Sequence, residues 1–279
     1  MPYTRTPKYP TNNAVFRRLR ELHSSGIPMA YKPVKRADIV LLGTIRRKYL
    51  TFNDAVKGAG LKPTKMQHGG NKPRTVIKTP TQCSDYAYFL GVLFGDGNIS
   101  RSAVGSRNTV KCDGFDIEMC RNFAEKGKRM FGIKPKWLTT ERTGPHRANH
   151  GDTFYRVAFY SNNMADYLIQ ETADKTKIPE WIKKGANSVK AAFIRGFADA
   201  EGCAKIHGNL PKVSIVQKAR EWLDDIRGML SSMGISSRIY FSEGANCYSL
   251  NIYRILDVKR FAITVGFSIS RKQNRLVLS

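Results

Sequence analysis

The fold is decided by two stretches of similar sequence, which read Phe89-Leu-Gly-Val-Leu-Phe-Gly-Asp-Gly97 and Ile194-Arg-Gly-Phe-Ala-Asp-Ala-Glu-Gly202. Small residues recur at every fourth position in and just before both stretches: Ala87, Gly91 and Gly95 in the first, and Ala192, Gly196 and Ala200 in the second. Glycine inside a helix costs about 1 kcal/mol relative to alanine, so such a stripe needs a reason. We expect two helices whose backbones approach closely, with an interface at Gly91, Gly95, Gly196 and Ala200.

Each stretch ends with an acidic residue followed by glycine, Asp96 in the first and Glu201 in the second. Glycine suits the end of a helix, so both acids are expected at helix C-termini. Carboxylates are disfavoured there because the helix dipole is already negative, and packing the helices would bring the two charges together. A bound divalent cation would offset this repulsion. A single Gly-Asp-Gly would be only a turn, but two equivalent copies predict that Asp96 and Glu201 are metal ligands.

The chain around and after each stretch repeats one order of elements. In residues 81–186 the pattern predicts a helix at 86–94, strands at 97–100 and 115–119, a helix at 122–131, strands at 137–140 and 154–160, and a helix at 164–171. In residues 187–279 it predicts a helix at 189–199, strands at 203–206 and 212–217, a helix at 221–233, strands at 238–242 and 248–253, and a helix at 258–265. Each copy reads αββαββα. This duplication predicts two similar halves related by a pseudo-twofold axis.

Residues 1–80 are basic and rich in proline, and they predict a small helical domain. Helices are expected at 13–23 and 35–49. The segment Thr51–Met66 has a short helix, a glycine break and a new helix beginning near Pro63 and Thr64, which predicts a DNA-contacting helix-turn-helix. Short helix pairs joined by glycine are also common packing elements, so this alternative stays open. Residues 69–80 are expected to form a linker.

Composition indicates a polyanionic partner. The 279 residues include 47 Lys and Arg against 22 Asp and Glu, which gives a net charge of +25 and a pI near 10.1. Apolar residues make up 41% and aromatic residues 10% of the chain, enough for a packed core. That excludes a disordered basic tail and disfavours an enzyme acting on small neutral metabolites. A folded chain with such an excess of cations usually binds nucleic acid.

The cysteines and the hydropathy of the sequence indicate the cellular compartment in which the protein is expected. The five cysteines form no CxxC pair, so we expect no disulfide framework and a reducing compartment. No apolar run reaches the roughly 20 residues needed to cross a bilayer, so no membrane association is expected. Cytoplasm, a nucleoid or an organelle matrix fit these features better than secretion does.

Together, the two stretches resemble the motifs of the LAGLIDADG homing endonucleases of the single-chain, two-motif type, over residues 86–279. The resemblance implies an α+β fold in which the motif helices join two αββαββα halves, with the helical N-terminal domain as an addition. It implies that Asp96 and Glu201 hold Mg²⁺, with Mn²⁺ able to substitute, and that two antiparallel sheets grip double-stranded DNA. The implied activity is sequence-specific double-strand cleavage in intron homing, by metal-dependent phosphodiester hydrolysis at a long asymmetric site. The protein is expected to be a monomer.

The resemblance also bears on two other residues. Asp199, the second motif acid, is matched by Phe94 in the first copy and is assigned no catalytic role. A lysine near the metal commonly follows the second strand of a repeat in this family, which assigns Lys218 as catalytic; a phosphate-contacting or solvated lysine is the alternative. Residues 118–120 are taken as the first-copy counterpart of residues 216–218, so one centre would lack this lysine.

Alternating polar residues on the predicted strands are candidates for DNA binding, because a strand presents every second side chain to one face. They are Lys212, Ser214, Arg238, Tyr240, Asn251 and Tyr253 in the second copy, and Arg101, Lys111 and Arg156 in the first. Any of them could instead coat the surface or contact only the phosphate backbone.

Two other functions remain open on the same fold. One is an intron maturase, which binds intron RNA, and retained acids would not exclude it. The other is a non-cleaving DNA-binding regulator, and such proteins generally lose the motif acids. Asp96 and Glu201 are both intact here, which favours the endonuclease over the regulator.

Overall fold

The computed structural model describes residues 9–48, 51–64, 76–101, 108–141, 153–207 and 210–277. The chain divides into two compact units, Met1–Lys72 and Pro73–Ser279. No helix within the described residues is long and apolar enough to span a bilayer. The five cysteines all lie in described segments and form no disulfide.

The N-terminal unit is helical, as predicted. Its helices are α1 (Asn12–Ser24), α2 (Tyr31–Ala37), α3 (Ile39–Lys48) and α4 (Phe52–Gly58). They surround a small apolar core that includes Val15, Leu19, Leu41 and Val56, all fully buried. The unit therefore has a core of its own.

The single helix predicted over residues 35–49 is wrong, because the chain breaks at Asp38 into α2 and α3. Asp38 has an extended backbone (φ −154°, ψ 94°). Its carboxylate accepts a hydrogen bond from the Leu41 N–H at 2.9 Å, which satisfies one of the free amides at the start of α3. It also accepts hydrogen bonds from the Tyr9 hydroxyl and from Arg18 Nε. These bonds hold the aspartate at a helix boundary.

Only the first half of the predicted helix-turn-helix is described. Helix α4 starts with a reciprocal capping box, in which Thr51 and Asp54 each accept the other's backbone N–H. Pro63 and Thr64 are not helical, and Thr64 exchanges hydrogen bonds with Met29. The rest of the predicted second helix, and the linker residues 69–75, lie outside the described residues.

The C-terminal unit contains both repeats. The first repeat comprises α5 (Ser84–Phe94), β1 (Gly97–Ser100), β2 (Thr109–Gly114), α6 (Ile117–Phe131), β3 (Lys136–Glu141), β4 (Thr153–Tyr160) and α7 (Asn162–Glu171), and the short α8 (Glu180–Lys183) follows it. The second comprises α9 (Asn187–Glu201), β5 (Gly202–His207), β6 (Leu210–Gln217), α10 (Arg220–Ser232), β7 (Arg238–Ser242), β8 (Cys247–Ile252), α11 (Ile255–Thr264) and α12 (Ser270–Val277). The two antiparallel sheets have equivalent orders, β1-β2-β4-β3 and β5-β6-β8-β7. The predicted α+β class and the αββαββα duplication are confirmed.

Three details differ from the prediction. The strand expected at 115–119 is wrong: the second strand is β2, which pairs with both β1 and β4. Residues from Ile117 onward start α6, whose inner face buries Met119 and Phe123. Helices α8 and α12 were not predicted. Lys78, in the expected linker, donates its N–H to the Phe131 carbonyl at 3.1 Å and so belongs to this unit.

The two repeats share one apolar core, so they form a single compact unit. Its aromatic residues include Phe89, which stacks on Phe123 with ring centroids 4.4 Å apart. On the side of the second repeat, Phe94 of α5 packs edge-on against Phe193 of α9 and against Trp222. The first helix of one repeat therefore contributes to the packing of the other.

Helices α5 and α9 touch through their backbones. A Cβ added at Gly91 would overlap the carbonyl oxygen of Phe193 and lie 2.8 Å from the Phe197 nitrogen. A Cβ added at Gly196 would overlap the carbonyl of Tyr88 in the same way. Only glycine allows this approach, which accounts for its presence inside both helices.

Gly91→Ala is expected to lower the free energy of unfolding by about 3 kcal/mol, the upper end of the range for an overpacked core. Gly228 in the middle of α10 is the matched control, because nothing lies within 4 Å of an added Cβ there. Gly228→Ala should raise the stability by roughly 0.5–1 kcal/mol. Urea unfolding followed by circular dichroism measures both changes. A Gly91→Ala variant as stable as the wild type would contradict the close contact.

Candidate metal centre and nucleic-acid interface

Asp96 and Glu201 come together at one end of the α5–α9 pair. Helix α5 ends at Phe94, and Asp96 lies in the turn that leads into β1. Glu201 is the last residue of α9 and precedes β5 directly. A Cβ added at Gly95 would overlap the Ala200 side chain and lie 3.2 Å from Glu201 Cγ. The turn that carries Asp96 therefore rests on the end of α9 that carries Glu201.

Both carboxyl groups have raised pKa values. For Glu201, partial burial is the main cause, and the negative charge of Asp96 adds to it. Asp96 is exposed at the rim of a cleft, yet the surrounding protein removes enough solvent to raise its pKa, and the charges of Asp116 and Asp113 add to the effect. The fold thus holds two carboxylates where their ionised forms are disfavoured.

Lys175 lies beside these acids, a placement the sequence did not predict. Its side chain is half-buried, and Nζ donates to the Gly97 carbonyl at 2.5 Å. Burial lowers its pKa, which the charges of Glu201 and Asp96 oppose. Ala173, Asp174 and Lys175 are consecutive non-glycine residues with positive φ angles of 46°, 56° and 64°. Such backbone strain persists only where its surroundings enforce it.

Lys272 is the second lysine near the acids. Its side chain is buried, and Nζ donates to the carbonyls of Asp199 at 2.6 Å and Ala198 at 3.4 Å, in the last turn of α9. Burial lowers its pKa, and the charge of Asp116 opposes that effect. Lys272 and Asp96 line one cleft of about 750 Å³. Each repeat thus supplies a lysine close to the pair of acids.

Lys218 is exposed just beyond the end of β6, and its own N–H donates to Gln217 Oε1 at 2.7 Å. The side chain that reaches Glu201 from this segment is Gln217, whose Nε2 lies 3.4 Å from Glu201 Oε1. Gln217 is therefore a further residue of the site, and its position next to Lys218 was the only sequence signal for it.

The predicted first-repeat counterpart of Lys218 is wrong. The two motif glycines lie opposite Cys112 and Ile215 in their sheets. Three residues beyond these partners lie Phe115 and Lys218, so those two positions are equivalent. Residues 118–120 lie inside α6. The first repeat therefore still lacks a lysine equivalent to Lys218, but the residue in its place is Phe115 and not Cys120.

Asp199 lies at the α5–α9 interface and is fully buried. It accepts hydrogen bonds from the Tyr88 hydroxyl at 2.6 Å, from the Ser268 N–H at 3.0 Å and from the Ser268 hydroxyl. Its carboxylate oxygens thus bind protein donors from both repeats. This arrangement is that of a structural residue rather than a metal ligand.

In the second sheet, most of the predicted DNA-binding residues share one face. Lys212, Ser214, Tyr240, Asn251 and Tyr253 line a shallow groove of about 820 Å³. Ser214 and Asn251 are nearly buried and bond to the hydroxyl of Ser249 at 3.0 Å each, so Lys212 and the two tyrosines are the more accessible side chains. Arg238 lies at the edge of the sheet, over the Tyr253 ring.

In the first sheet, the predicted cations are paired with acids. Arg156 binds Asp113 through two hydrogen bonds, from Nε and Nη2, both 2.7 Å long. Lys111 lies 3.4 Å from the same carboxylate. These contacts outweigh the effect of burial and lower the pKa of Asp113. Arg101 pairs with Asp174 at 3.6 Å. The two sheets therefore present different chemistry.

Comparison with known proteins recognises one domain in this chain. Residues 188–266 match the sequence model of the LAGLIDADG-like domain. This segment contains the second acidic stretch, and the first stretch forms the equivalent helix of the other repeat. Residues 188–266 are therefore a LAGLIDADG-like domain.

The LAGLIDADG fold is also found in solved structures. A crystal structure of I-DmoI in complex with DNA and Mn superposes with a TM-score of 0.50 at 20% identity, and the match covers 67% of this chain and 98% of that chain. I-DmoI is described as a homing endonuclease. At this level of identity the likeness shows the fold alone.

Sequence relatives of this chain include much longer proteins. It is 24% identical over 265 residues to a probable translation initiation factor IF-2 of Methanocaldococcus jannaschii, which aligns with 92% of this chain and 20% of that protein. It is 26% identical over 226 residues to an uncharacterised protein of the same organism, covering 74% of each. The chain thus spans a fifth or less of the initiation-factor and DNA-polymerase relatives that it matches.

The two LAGLIDADG acids fit a hard divalent cation. Carboxylate oxygens are the ligands that Mg²⁺ prefers, and Mg²⁺ is often bound by one or two carboxylates together with substrate phosphates. Among the described residues, no group of three or more His, Cys, Asp or Glu side chains could hold a metal by itself. Asp96 and Glu201 thus fit a cation that completes its coordination with phosphate and water.

Proposed function

We propose that this chain is a sequence-specific endonuclease that cuts both strands of DNA at a long asymmetric site, with a divalent cation held by Asp96 and Glu201. The observation that carries the proposal is the juxtaposition of these two carboxyl groups, both with raised pKa values, at the end of the α5–α9 pair, with Lys175 and Lys272 beside them. A fold shared with a homing endonuclease solved with DNA and Mn adds an analogy.

The proposed roles at the centre follow from the position of each group. Asp96 and Glu201 would hold Mg²⁺, or Mn²⁺ in its place. The chemistry that such a cation supplies is a water of lowered pKa and a positive charge beside the scissile phosphate. Lys175 and Lys272 would add positive charge from fixed positions, and Gln217 would orient Glu201. Lys218, which is exposed, remains a candidate for a phosphate contact.

The two sheets would bind the duplex on either side of the cut. The second would read bases through Lys212, Tyr240 and Tyr253, and the first through Arg101, Lys111 and Arg156. Because the second sheet offers a groove lined by lysines without acidic residues and the first a set of ion pairs, an asymmetric target is expected. A monomer with two unlike halves suits such a target.

The N-terminal unit is proposed as a second DNA contact. Residues 1–72 contain 15 Lys and Arg and three Asp and Glu, a net charge of +12. A tethered basic unit raises its own effective concentration at a site bound by the rest of the chain.

The test is a cleavage selection. The purified chain is incubated with Mg²⁺ and a pool of duplexes with long randomised inserts, and the cut ends are captured and sequenced. The proposal expects the ends to converge on one long asymmetric sequence, and expects no cutting with a chelator. Binding that converges on a sequence without any cut would instead favour a non-cleaving regulator. Preference for folded intron RNA over DNA would favour a maturase.

DNA affinity is expected to depend steeply on salt. If about 8 phosphates are neutralised, log K should fall with log salt with a slope near −7, because each contact contributes about 0.9. Fluorescence anisotropy with a labelled mixed-sequence duplex over a KCl series measures the slope. A flat titration would mean that the +25 charge serves a purpose other than nucleic-acid binding.

A further inference from the structure

A small pocket lies at a far corner of the second sheet. It has a volume of about 200 Å³ and is lined by Ser236, Ser237, Arg238, Tyr253 and Arg254. This volume is several times the roughly 30 Å³ that one water occupies in the liquid, so the pocket has room for a tetrahedral anion. None of its lining residues is acidic.

Resting on the proposed function, we infer that this pocket binds one phosphate of the DNA backbone, at a fixed distance from the cutting centre.

The hydroxyl of Ser237 is the first observation behind this inference. Its oxygen is buried and makes no hydrogen bond to any of the described residues. A buried polar group without a partner costs about 1–3 kcal/mol. Rotation of the short Ser237 side chain about χ1 would turn this donor toward an acceptor in the pocket, and phosphate oxygens are strong acceptors.

The two arginines are the second observation. The guanidinium of Arg238 lies 5.8 Å from the centre of the Tyr253 ring, within cation–π range, and both residues line the pocket. Arg254 begins helix α11 as its N-cap, and Asp257 lies 3.6 Å from its Nε. Guanidinium groups present forked donors that match phosphate oxygens. Two of them beside a free hydroxyl make a site for a doubly contacted phosphate.

The position of the pocket favours DNA over a free anion. Tyr253 lines both this pocket and the shallow groove of the second sheet, so one duplex on the groove would pass the pocket. Tyr253 lies five residues beyond Tyr248, which is opposite Gln217 at the cutting centre. At about 3.4 Å per residue this is roughly 17 Å, and the offset of edge strand β7 brings the distance to on the order of 20 Å. With about 3.4 Å per base pair, the phosphate would lie about six base pairs from the cut.

Ser237→Asp tests the inference by placing a carboxylate in the pocket. Affinity for a labelled mixed-sequence duplex is expected to fall about tenfold, with a salt slope shallower by about 0.9, the contribution of one phosphate. Ser188→Asp is the matched control, because Ser188 is exposed in the first turn of α9, at the opposite end of that helix from β5. It makes the same chemical change and should leave the slope unaltered.

Ser237→Ala separates binding from folding. It removes the buried hydroxyl, so its melting temperature should equal or exceed that of the wild type while its affinity for DNA falls severalfold. Equal affinity and slope for the wild type and both Ser237 variants would overturn the inference. A flat salt titration of the wild type itself would instead overturn the proposed function.

Inorganic phosphate distinguishes the source of the anion. It is titrated at constant ionic strength against the wild type and Ser237→Asp, with melting temperature as the readout. Stabilisation of the wild type alone, with unchanged DNA affinity in the variant, would assign the pocket to a free anion and overturn the DNA assignment. Loss of DNA affinity in the variant supports it.

Discussion

Asp96→Asn and Glu201→Gln are each expected to abolish DNA cleavage in Mg²⁺ while leaving DNA affinity within about tenfold of the wild type, because DNA contacts elsewhere supply the electrostatic binding energy. Each change keeps the shape of the side chain and removes the charge that a divalent cation requires. The phosphate and base contacts proposed for the sheets come from other side chains, which both substitutions leave in place. Single-turnover cleavage of the selected target, with anisotropy for binding, measures both effects.

The same two variants are expected to melt at or above the wild-type temperature at neutral pH. Folding raises the pKa of both acids, so their ionised forms cost stability above the unfolded-state pKa. A neutral amide removes that cost, which separates loss of chemistry from loss of fold. Glu125→Gln, at an exposed position on α6, is the control and should cut normally. Full cleavage by either site variant would remove that residue from the metal centre.

The contact between α5 and α9 could be predicted because the residues that allow it lie within the two helices themselves. Backbone contact between two helices requires glycine at the crossing, and Gly91 and Gly196 meet this requirement. The acids could be predicted for the same reason, since each directly follows its helix. Repetition of both features then gave the duplication and, with it, the two equivalent sheets.

Elements whose structure depends on distant partners were harder to predict. Strand β2 ends in Asp113 and Gly114, which are disfavoured in strands, although Val110 and Cys112 alternate with polar residues along it. It is a strand because β1 and β4 pair with it on both sides. Likewise, the boundary between α2 and α3 depends on Tyr9 and Arg18, which bind Asp38 from elsewhere in the chain. Tertiary contacts decided these cases.

The lysines of the site were missed for the same reason. Lys175 follows α7 and Lys272 lies in α12, both far along the chain from the acids they approach. The sequences around them are dissimilar, so no local repeat links them. The one shared feature is that each lysine follows the helix that comes after the four strands of its repeat, α7 in the first repeat and α11 in the second. Lys218 stood out instead because it directly follows a strand, but its side chain is exposed.

Lys175→Met and Lys272→Met are each expected to slow cleavage by about 10²-fold or more, the scale of a lost electrostatic contribution to the transition state. Methionine keeps the length of the side chain but removes the charge that acts on Asp96 and Glu201. Lys218→Met removes the same charge from an exposed position and is the matched control, with a much smaller effect expected.

Single-turnover kinetics on a doubly end-labelled target measure the cleavage rate of each DNA strand separately in these lysine variants. Lys175 donates to Gly97 at the start of β1, whereas Lys272 donates to the last turn of α9, so the two lysines serve different halves of the site. Each variant is therefore expected to slow one strand more than the other, and nicked duplex should accumulate. Melting temperatures within a few degrees of the wild type would show that the buried Lys272 is not needed for folding. If Lys218→Met slows one strand as much as Lys272→Met does, the two lysines contribute equally to cleavage, which would contradict a special role for the buried position.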